Sequence, residues 1–344
     1  MRPKDLIPAL NLCLGSKRAV MLWGPPGVGK SDLIAQLAAS RNEELRDVRL
    51  ATIDQTDLRG LPVVTRPEPI PPARGKVAKA PKPQVTWAPP DFLPTEGKGI
   101  LFLDELVSAA PSVQAVAYQL ILNRRVGDYV MPDGWGIIAA GNRAGDRSLV
   151  HTMPSALSNR FVHLDYTIHN DDWHEWADTH KLNTFVTGFL RFRPALLHAH
   201  DPSKNERAFP TPRSWAFVSD LVGNSHELSS GTFELVKGCV GEGAATEFQG
   251  YLAVYRDLPT AAEILKDPTK VKVPSRPDGQ YAVSSMLLEH TTAKTVKAVM
   301  DYINRLPVEF HVFFLRSVLS RNRSLCNDPA VQKWLRENSK LVLN

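Results

Sequence analysis

"MLWGPPGVGKS", residues 21–31, is an apolar run that breaks into three glycines and two prolines and then into a lysine and a serine. Met21, Leu22 and Trp23 read as the end of a buried strand. Ser31–Ala39 reads as a helix with apolar residues three and four apart. The break between them is a loop joining strand to helix, and its spacing, Gly24-x-x-x-x-Gly29-Lys30-Ser31, is that of a phosphate-binding loop. In such a loop, glycines let backbone N–H groups turn inward on phosphates, the lysine reaches the β- and γ-phosphates, and the hydroxyl helps to hold Mg²⁺. The helix that starts there adds its N-terminal dipole to the same anion.

Outward from this loop, residues 3–14 read as a short amphipathic helix, Arg18–Trp23 as the strand, and the helix after the loop runs to about Ser40. Arg49–Asp54 reads as a second strand. From Leu61 the pattern changes: ten prolines fall in the 33 residues 62–94, with Arg66, Arg74, Lys76, Lys79 and Lys82 against only Glu68 and Asp91. Such a stretch is neither helix nor central strand, and reads as an insertion with Trp87 and Phe92 as its anchors. Gly99–Glu105 restores a buried strand, and Pro111–Arg124 is a helix with Val113, Val116, Ala117 and Leu120 on one face. Arg125–Val130 and Trp135–Ile138 read as two strands about the turn Met131–Gly134, with Ile137–Asn142 continuing as a core strand and Phe161–Asp165 as a fifth. Strands alternating with helices imply a parallel sheet covered on both faces.

After Asn170 the strand signals fade. Asp171–His180, Asn183–Ala199, Thr211–Leu221 and Gly231–Tyr255 read as helices, followed by a connector over 258–277. Beyond it, Val296, Val299, Met300, Ile303 and Leu306 keep helical spacing, as do Phe310, Phe313, Phe314 and Val318, and both stripes read as core.

The strand Ile100–Leu103 ends in Asp104-Glu105. An aspartate at the carboxyl end of a buried strand beside a phosphate loop can hold Mg²⁺ through water or with Ser31, and the adjacent glutamate can orient or deprotonate an attacking water. Roughly 75 residues separate the pair from the phosphate loop, a placement that suits phosphoryl transfer.

Hydrophobic and charged contents of 43% and 22% in 344 residues are those of a soluble globular protein with two or three domains, and the net charge of +5 permits an acidic partner or nucleic acid without requiring either. Cys13, Cys239 and Cys326 are scattered and lack metal spacing, which points to a reducing compartment. With no apolar run long enough to span a membrane and no signal-peptide core, the expected location is cytoplasmic. His163, His169, His174, His180, His198 and His200 show no zinc-binding spacing and read as lid-surface and packing residues, and Trp173 and Trp176 as a packing stripe.

Four segments together resemble the AAA+ ATPases: GPPGVGKS (24–31), LFLDE (101–105), AAGN (139–142) and MPSALSNRF (153–161). With FPTPRSW (209–215) and the two insertions, the chain resembles the MoxR family, the helix-2-insert clade, over about residues 1–255. The resemblance implies an α/β fold: a five-stranded parallel-sheet αβα P-loop core over 1–168, with an insertion at about 61–98 and a hairpin at about 123–136. It further implies an all-α lid over 169–257; the helical C-terminal extension over 258–344 lies beyond the resemblance and is read from its apolar spacing alone. By the same resemblance Gly24, Pro25, Pro26, Gly27, Val28, Gly29, Lys30, Ser31 and Asp104 bind ATP, Ser31 and Asp104 hold Mg²⁺, and Asn142 is the sensor that holds the lytic water or γ-phosphate. Arg160, in Pro154-x-x-Leu157-x-x-Arg160-Phe161, resembles an arginine finger that reaches a neighbouring subunit's nucleotide, and Arg213 the second sensor on the lid. Arg124, Arg125, Arg143 and Arg147 are further candidates for such a contact.

The activity implied is ATP hydrolysis by a ring, a hexamer in the family, coupled to chaperone-like remodelling of a protein partner such as one with a von Willebrand factor A domain. A nucleic-acid motor or restriction-type GTPase subunit is the alternative, favoured mildly by the basic insertion. No separate recognition module and no Asn-Lys-x-Asp guanine motif are evident.

Overall fold

The computed structural model describes residues 1–65, 82–143, 145, 151–204, 206–223 and 226–338. The chain divides into two compact units, Met1–Thr167 and Ile168–Asn344. The first contains, in chain order, α1 (Pro3–Gly15), β1 (Val20–Trp23), α2 (Lys30–Arg41), β2 (Glu44–Arg49), α3 (Gln55–Arg59), β3 (Leu61–Thr65) and β4 (Gln84–Ala88). It continues with β5 (Lys98–Asp104), α4 (Pro111–Asn123), β6 (Arg125–Val126), β7 (Tyr129–Val130), β8 (Gly134–Gly141), α5 (Ser155–Ser158) and β9 (Val162–Asp165).

Five of these strands form one parallel sheet in the order β2-β5-β8-β1-β9. This is the αβα P-loop core of AAA+ type, followed by a helical C-terminal region, as the sequence leads one to expect. The two central strands carry the longest buried runs, Gly99–Leu103 and Ile137–Gly141, because both of their faces are covered. Their pairing sets Gly99 opposite Trp135. A Cβ on Gly99 would lie 2.7 Å from the indole, so glycine makes the room in which Trp135 is buried. Helix α4 lays Val113, Ala117 and Leu120 on the same core that holds Leu101, Leu103 and Ile137.

Two local expectations are corrected. The second strand is Glu44–Arg49, and Arg49–Asp54 instead begins a 3₁₀ turn at Leu50–Thr52 that leads into α3. As an edge strand β2 buries only Val48, so it has no apolar alternation to announce it. The small hairpin lies wholly within 125–130, pairing Arg125 with Val130 and Val126 with Tyr129, while Trp135–Ile138 belongs to the central strand β8.

The described ends of the proline-rich insertion form an antiparallel ribbon, β3 with β4, outside the main sheet; residues 66–81 lie outside the described part. Trp87 anchors it. The Arg59 guanidinium stacks 4.2 Å from the indole centroid, and the Trp87 backbone N–H donates to Asp128 in the turn of the β6–β7 hairpin at 3.0 Å. Phe92 packs, partly buried, against the core.

The second unit is helical among its described residues: α6 (Asn170–Thr179), α7 (Thr184–Phe192), α8 (Pro212–Val222), α9 (Ser230–Val240), α10 (Glu242–Ala253), α11 (Ala261–Lys266), α12 (Pro277–Glu289), α13 (Val296–Ile303), α14 (Val308–Arg321) and α15 (Pro329–Glu337). The helix expected over 183–199 stops at Phe192 ahead of Pro194, and the one expected over 231–255 is broken at Gly241, whose φ of 82° no helix accommodates. The expected connector contains α11. One apolar cluster gathers Trp173, Phe189, Trp215 and Phe248; another gathers Val283, Met300, Phe310, Phe314 and Trp334. Both apolar stripes read from the sequence are interior, with Phe313 partly buried. Asp178 on α6 ties the regions together, accepting from Arg191 on α7 at 2.9 Å and from Arg321 on α14 at 3.1 Å.

Candidate functional site

The site grows from the end of β1. After Trp23 the chain turns at Gly24, whose N–H donates to the carbonyl of Gly141 at 3.3 Å and whose Cα lies so near Tyr166 that an added Cβ would stand 3.1 Å from the Tyr166 Cβ. Gly27 and Gly29 take φ of 73° and 91°, the left-handed region that glycine enters freely. Val28 is buried and pins the loop, and α2 starts at Lys30 with Leu33, Ile34 and Leu37 buried beneath it. A loop shaped in this way turns successive N–H groups toward one point in front of a helix N-terminus, a setting for an anion.

Around that point the fold gathers residues distant in sequence. Lys30 Nζ donates to the carbonyls of Gly24 at 2.8 Å and Pro25 at 3.0 Å, and to Asn142 Oδ1 at 3.0 Å. Ser31 Oγ donates to Asp104 Oδ2 at 3.1 Å, while Asp104 Oδ1 accepts the N–H of Glu105 at 2.9 Å. The hydroxyl and carboxylate oxygens of Ser31 and Asp104, side by side at the first turn of α2, are a hard-oxygen pair that fits Mg²⁺. Glu105 itself is exposed and held at φ 57°, ψ 32°. Asp47 was not singled out in the sequence; its carboxyl is pushed up by burial and then by the charge of Asp104. The β2–β5 register, which sets Arg49 beside Asp104, brings it there, and no local motif could have marked it.

The arginines divide. Arg160 is exposed in the turn that leads into β9. The β1–β9 register sets Val20 beside Val162, so this turn lies at the opposite end of the strands from the phosphate loop of its own chain. The offset is about six residues of extended chain, roughly 20 Å. Arg213 is exposed in the first turn of α8, behind the cap made by Thr211 and Ser214. Arg124 is committed within its own chain: its Nη2 donates to the carbonyls of Pro132 and Trp135, and burial lowers its pKa. Arg143 pairs with Asp165 at 2.8 Å, and Arg125 is exposed on β6. Arg147 lies outside the described residues.

His163 is a packing residue on β9, stacked on Trp23, and both its ring nitrogens are engaged, with Trp23 Nε1 at 2.9 Å from Nδ1 and the Ser158 carbonyl 2.8 Å from Nε2. Among the described residues no three of His, Cys, Asp and Glu stand together as a metal cluster, and no helix is long and apolar enough to cross a membrane.

Residues 19–161 match the AAA domain of the dynein-related subfamily. The match spans the strand before the phosphate loop through the turn that carries Arg160, and it supports a nucleotide-dependent ATPase activity. No curated protein matches the sequence. Among solved structures, the chain is similar to RuvB of Thermotoga maritima, a Holliday junction branch migration motor, at 13% identity and a TM-score of 0.35, over 97% of this chain and 87% of that one. It is also similar to NtrX of Brucella abortus at 13% identity and a TM-score of 0.42, over 97% of this chain and 67% of that one.

Proposed function

We propose that the chain is a Mg²⁺-dependent ATPase of MoxR type that works as a ring, a hexamer, and converts hydrolysis into chaperone-like remodelling of a protein partner in the cytoplasm. The observation that carries the reading is the junction at the end of β1, where Lys30 meets Asn142 and Ser31 meets the Asp104-Glu105 pair. In this reading the N–H groups of residues 24–31 and Lys30 grip the β- and γ-phosphates. Ser31 and Asp104 would hold Mg²⁺, which when bound neutralises charge on the phosphate oxygens. Glu105 orients a water and accepts its proton as the water oxygen attacks the γ-phosphorus and the bond to ADP breaks, with Asn142 holding the water or the γ-phosphate in line.

Arg160 acts on the nucleotide of the next subunit. The distance of its turn from its own phosphate loop supports this role, because only a second copy brings the guanidinium to a phosphate. Such an arginine is worth about 10³ to 10⁵ in rate in other NTPases. Arg213, on a lid over 169–257, reports nucleotide state by moving that lid, and the extension over 258–344 moves with it through the Asp178 pairs. A partner with a von Willebrand factor A domain fits the MoxR reading. The test is the Glu105→Gln variant: it should bind a fluorescent ATP analogue as the parent does, form rings, and retain a client from lysate only with ATP. Stimulation of the parent by duplex DNA, fading steeply with salt, would instead favour a nucleic-acid motor.

A further inference from the structure

Trp23 and His163 join the two ends of the nucleotide machinery within one chain. An indole N–H can only donate, so the 2.9 Å contact of Trp23 Nε1 makes His163 Nδ1 an acceptor, and the ring proton therefore sits on Nε2. From there it donates to the Ser158 carbonyl at 2.8 Å, an oxygen that also accepts the N–H of Phe161 at 3.2 Å and so closes the turn containing Arg160. The two rings are stacked, with centroids 6.0 Å apart and planes 12° apart, and Phe161 meets the imidazole edge-on at 6.1 Å. Trp23 is the residue immediately before Gly24. A continuous path of two hydrogen bonds thus runs from the root of the phosphate loop down the β1–β9 seam to the backbone of the arginine turn.

We propose that His163 is a positioning residue of the intersubunit nucleotide site: it holds the turn that presents Arg160 in fixed register with the strand that feeds the phosphate loop. The inference rests on the reading of Arg160 as acting on the next subunit's nucleotide. The physical reason is that a guanidinium which stabilises a transition state must be placed to within a fraction of an ångström, and although Leu157 and Phe161 bury the turn's apolar side, Arg160 between them is exposed and depends on how the turn's backbone is held. His163, with both nitrogens committed, adds a polar tie from a strand of the main sheet to the Ser158 carbonyl of that turn.

The experiment measures ATP turnover of His163→Ala alone and in mixtures with Glu105→Gln or with Arg160→Ala subunits, each variant checked for assembly. The expected result is a loss in kcat of about 10- to 100-fold with KM for ATP within about twofold, as for a displaced catalytic group. Mixing with Glu105→Gln should rescue turnover, because each subunit then provides what its neighbour lacks, and mixing with Arg160→Ala should not, because both fail on the same side of the interface. Trp23→Phe, which keeps the stacked ring and removes the N–H, should show the same pattern and carries the test should His163→Ala fail to assemble. Unchanged kcat, or rescue by Arg160→Ala in place of Glu105→Gln, overturns the proposal. The control pair Arg160→Ala with Glu105→Gln separates the two levels: no rescue there overturns the role of Arg160 and this proposal with it, whereas rescue there without the expected His163 pattern overturns the proposal alone.

Discussion

Glu105 occupies a backbone conformation that a glutamate adopts at a cost of about 1–3 kcal/mol, and its surroundings enforce it: Asp104 accepts its N–H, and its carbonyl accepts from Ser108 and Ala109. The strained turn leaves Glu105 exposed next to Asp104, which touches Ser31 of the phosphate loop, as the proposed role of base requires. Glu105→Gln should leave ATP affinity within about twofold while turnover falls about 10²- to 10⁴-fold, measured by equilibrium binding and steady-state hydrolysis. Lys30→Ala should instead lower ATP affinity steeply in the same binding assay, since it also releases Asn142 and two loop carbonyls. His174 in the helical unit makes a pH prediction. Burial, and then the charge of Arg191, hold its pKa well below 6.5 in the folded protein. The unfolded chain therefore binds this proton first as pH falls, so stability is full above about pH 7 and is lost below about 6.5, by up to about 1.4 kcal/mol per pH unit. Urea midpoints at pH 7.5 and 5.5 should differ less in His174→Gln than in the parent. At this scale the sequence was informative where candidate residues are contiguous, as in Lys30-Ser31 and Asp104-Glu105, which the fold brings together. It was silent on Asp47 and on the Trp23–His163 pair, which depend on strand register.

Among the elements, long buried segments were legible and short or half-exposed ones were not. The central strands β5 and β8 announce themselves by unbroken apolar runs, whereas β2, with one buried side chain, was displaced by five residues in the sequence reading. Gly241 and Pro194 end helices that composition alone would continue. Helix packing in the second unit is close enough to test. A Cβ on Gly188 of α7 would stand 2.4 Å from Ser285 Oγ and 2.6 Å from the Tyr251 hydroxyl, so Gly188→Ala should destabilise by about 1–3 kcal/mol in urea unfolding. Asp178→Asn should cost more, about 3–5 kcal/mol, because its side chain is 2% exposed and the change leaves Arg191 and Arg321 without their shared carboxylate.

For the whole molecule, the structure gives two compact units that part at Thr167 and Ile168, close to where the strand signals of the sequence give way to helices. Less legible was the joining of the regions on either side of residue 258, because it rests on contacts between residues far apart in sequence: Gly188 of α7 against Ser285 of α12, and Asp178 receiving arginines 13 and 143 residues downstream. The basic, proline-rich insertion gives no periodicity from which its role could be read. The proposed function requires a site that no single chain completes, with the phosphate loop, Ser31, Asp104 and Glu105 at one end of the strands and Arg160 at the other. The most direct test is ATP turnover per subunit across a dilution series, with molar mass followed by light scattering. Turnover should fall steeply as assemblies dissociate; an unchanged rate from a strict monomer would contradict the shared site.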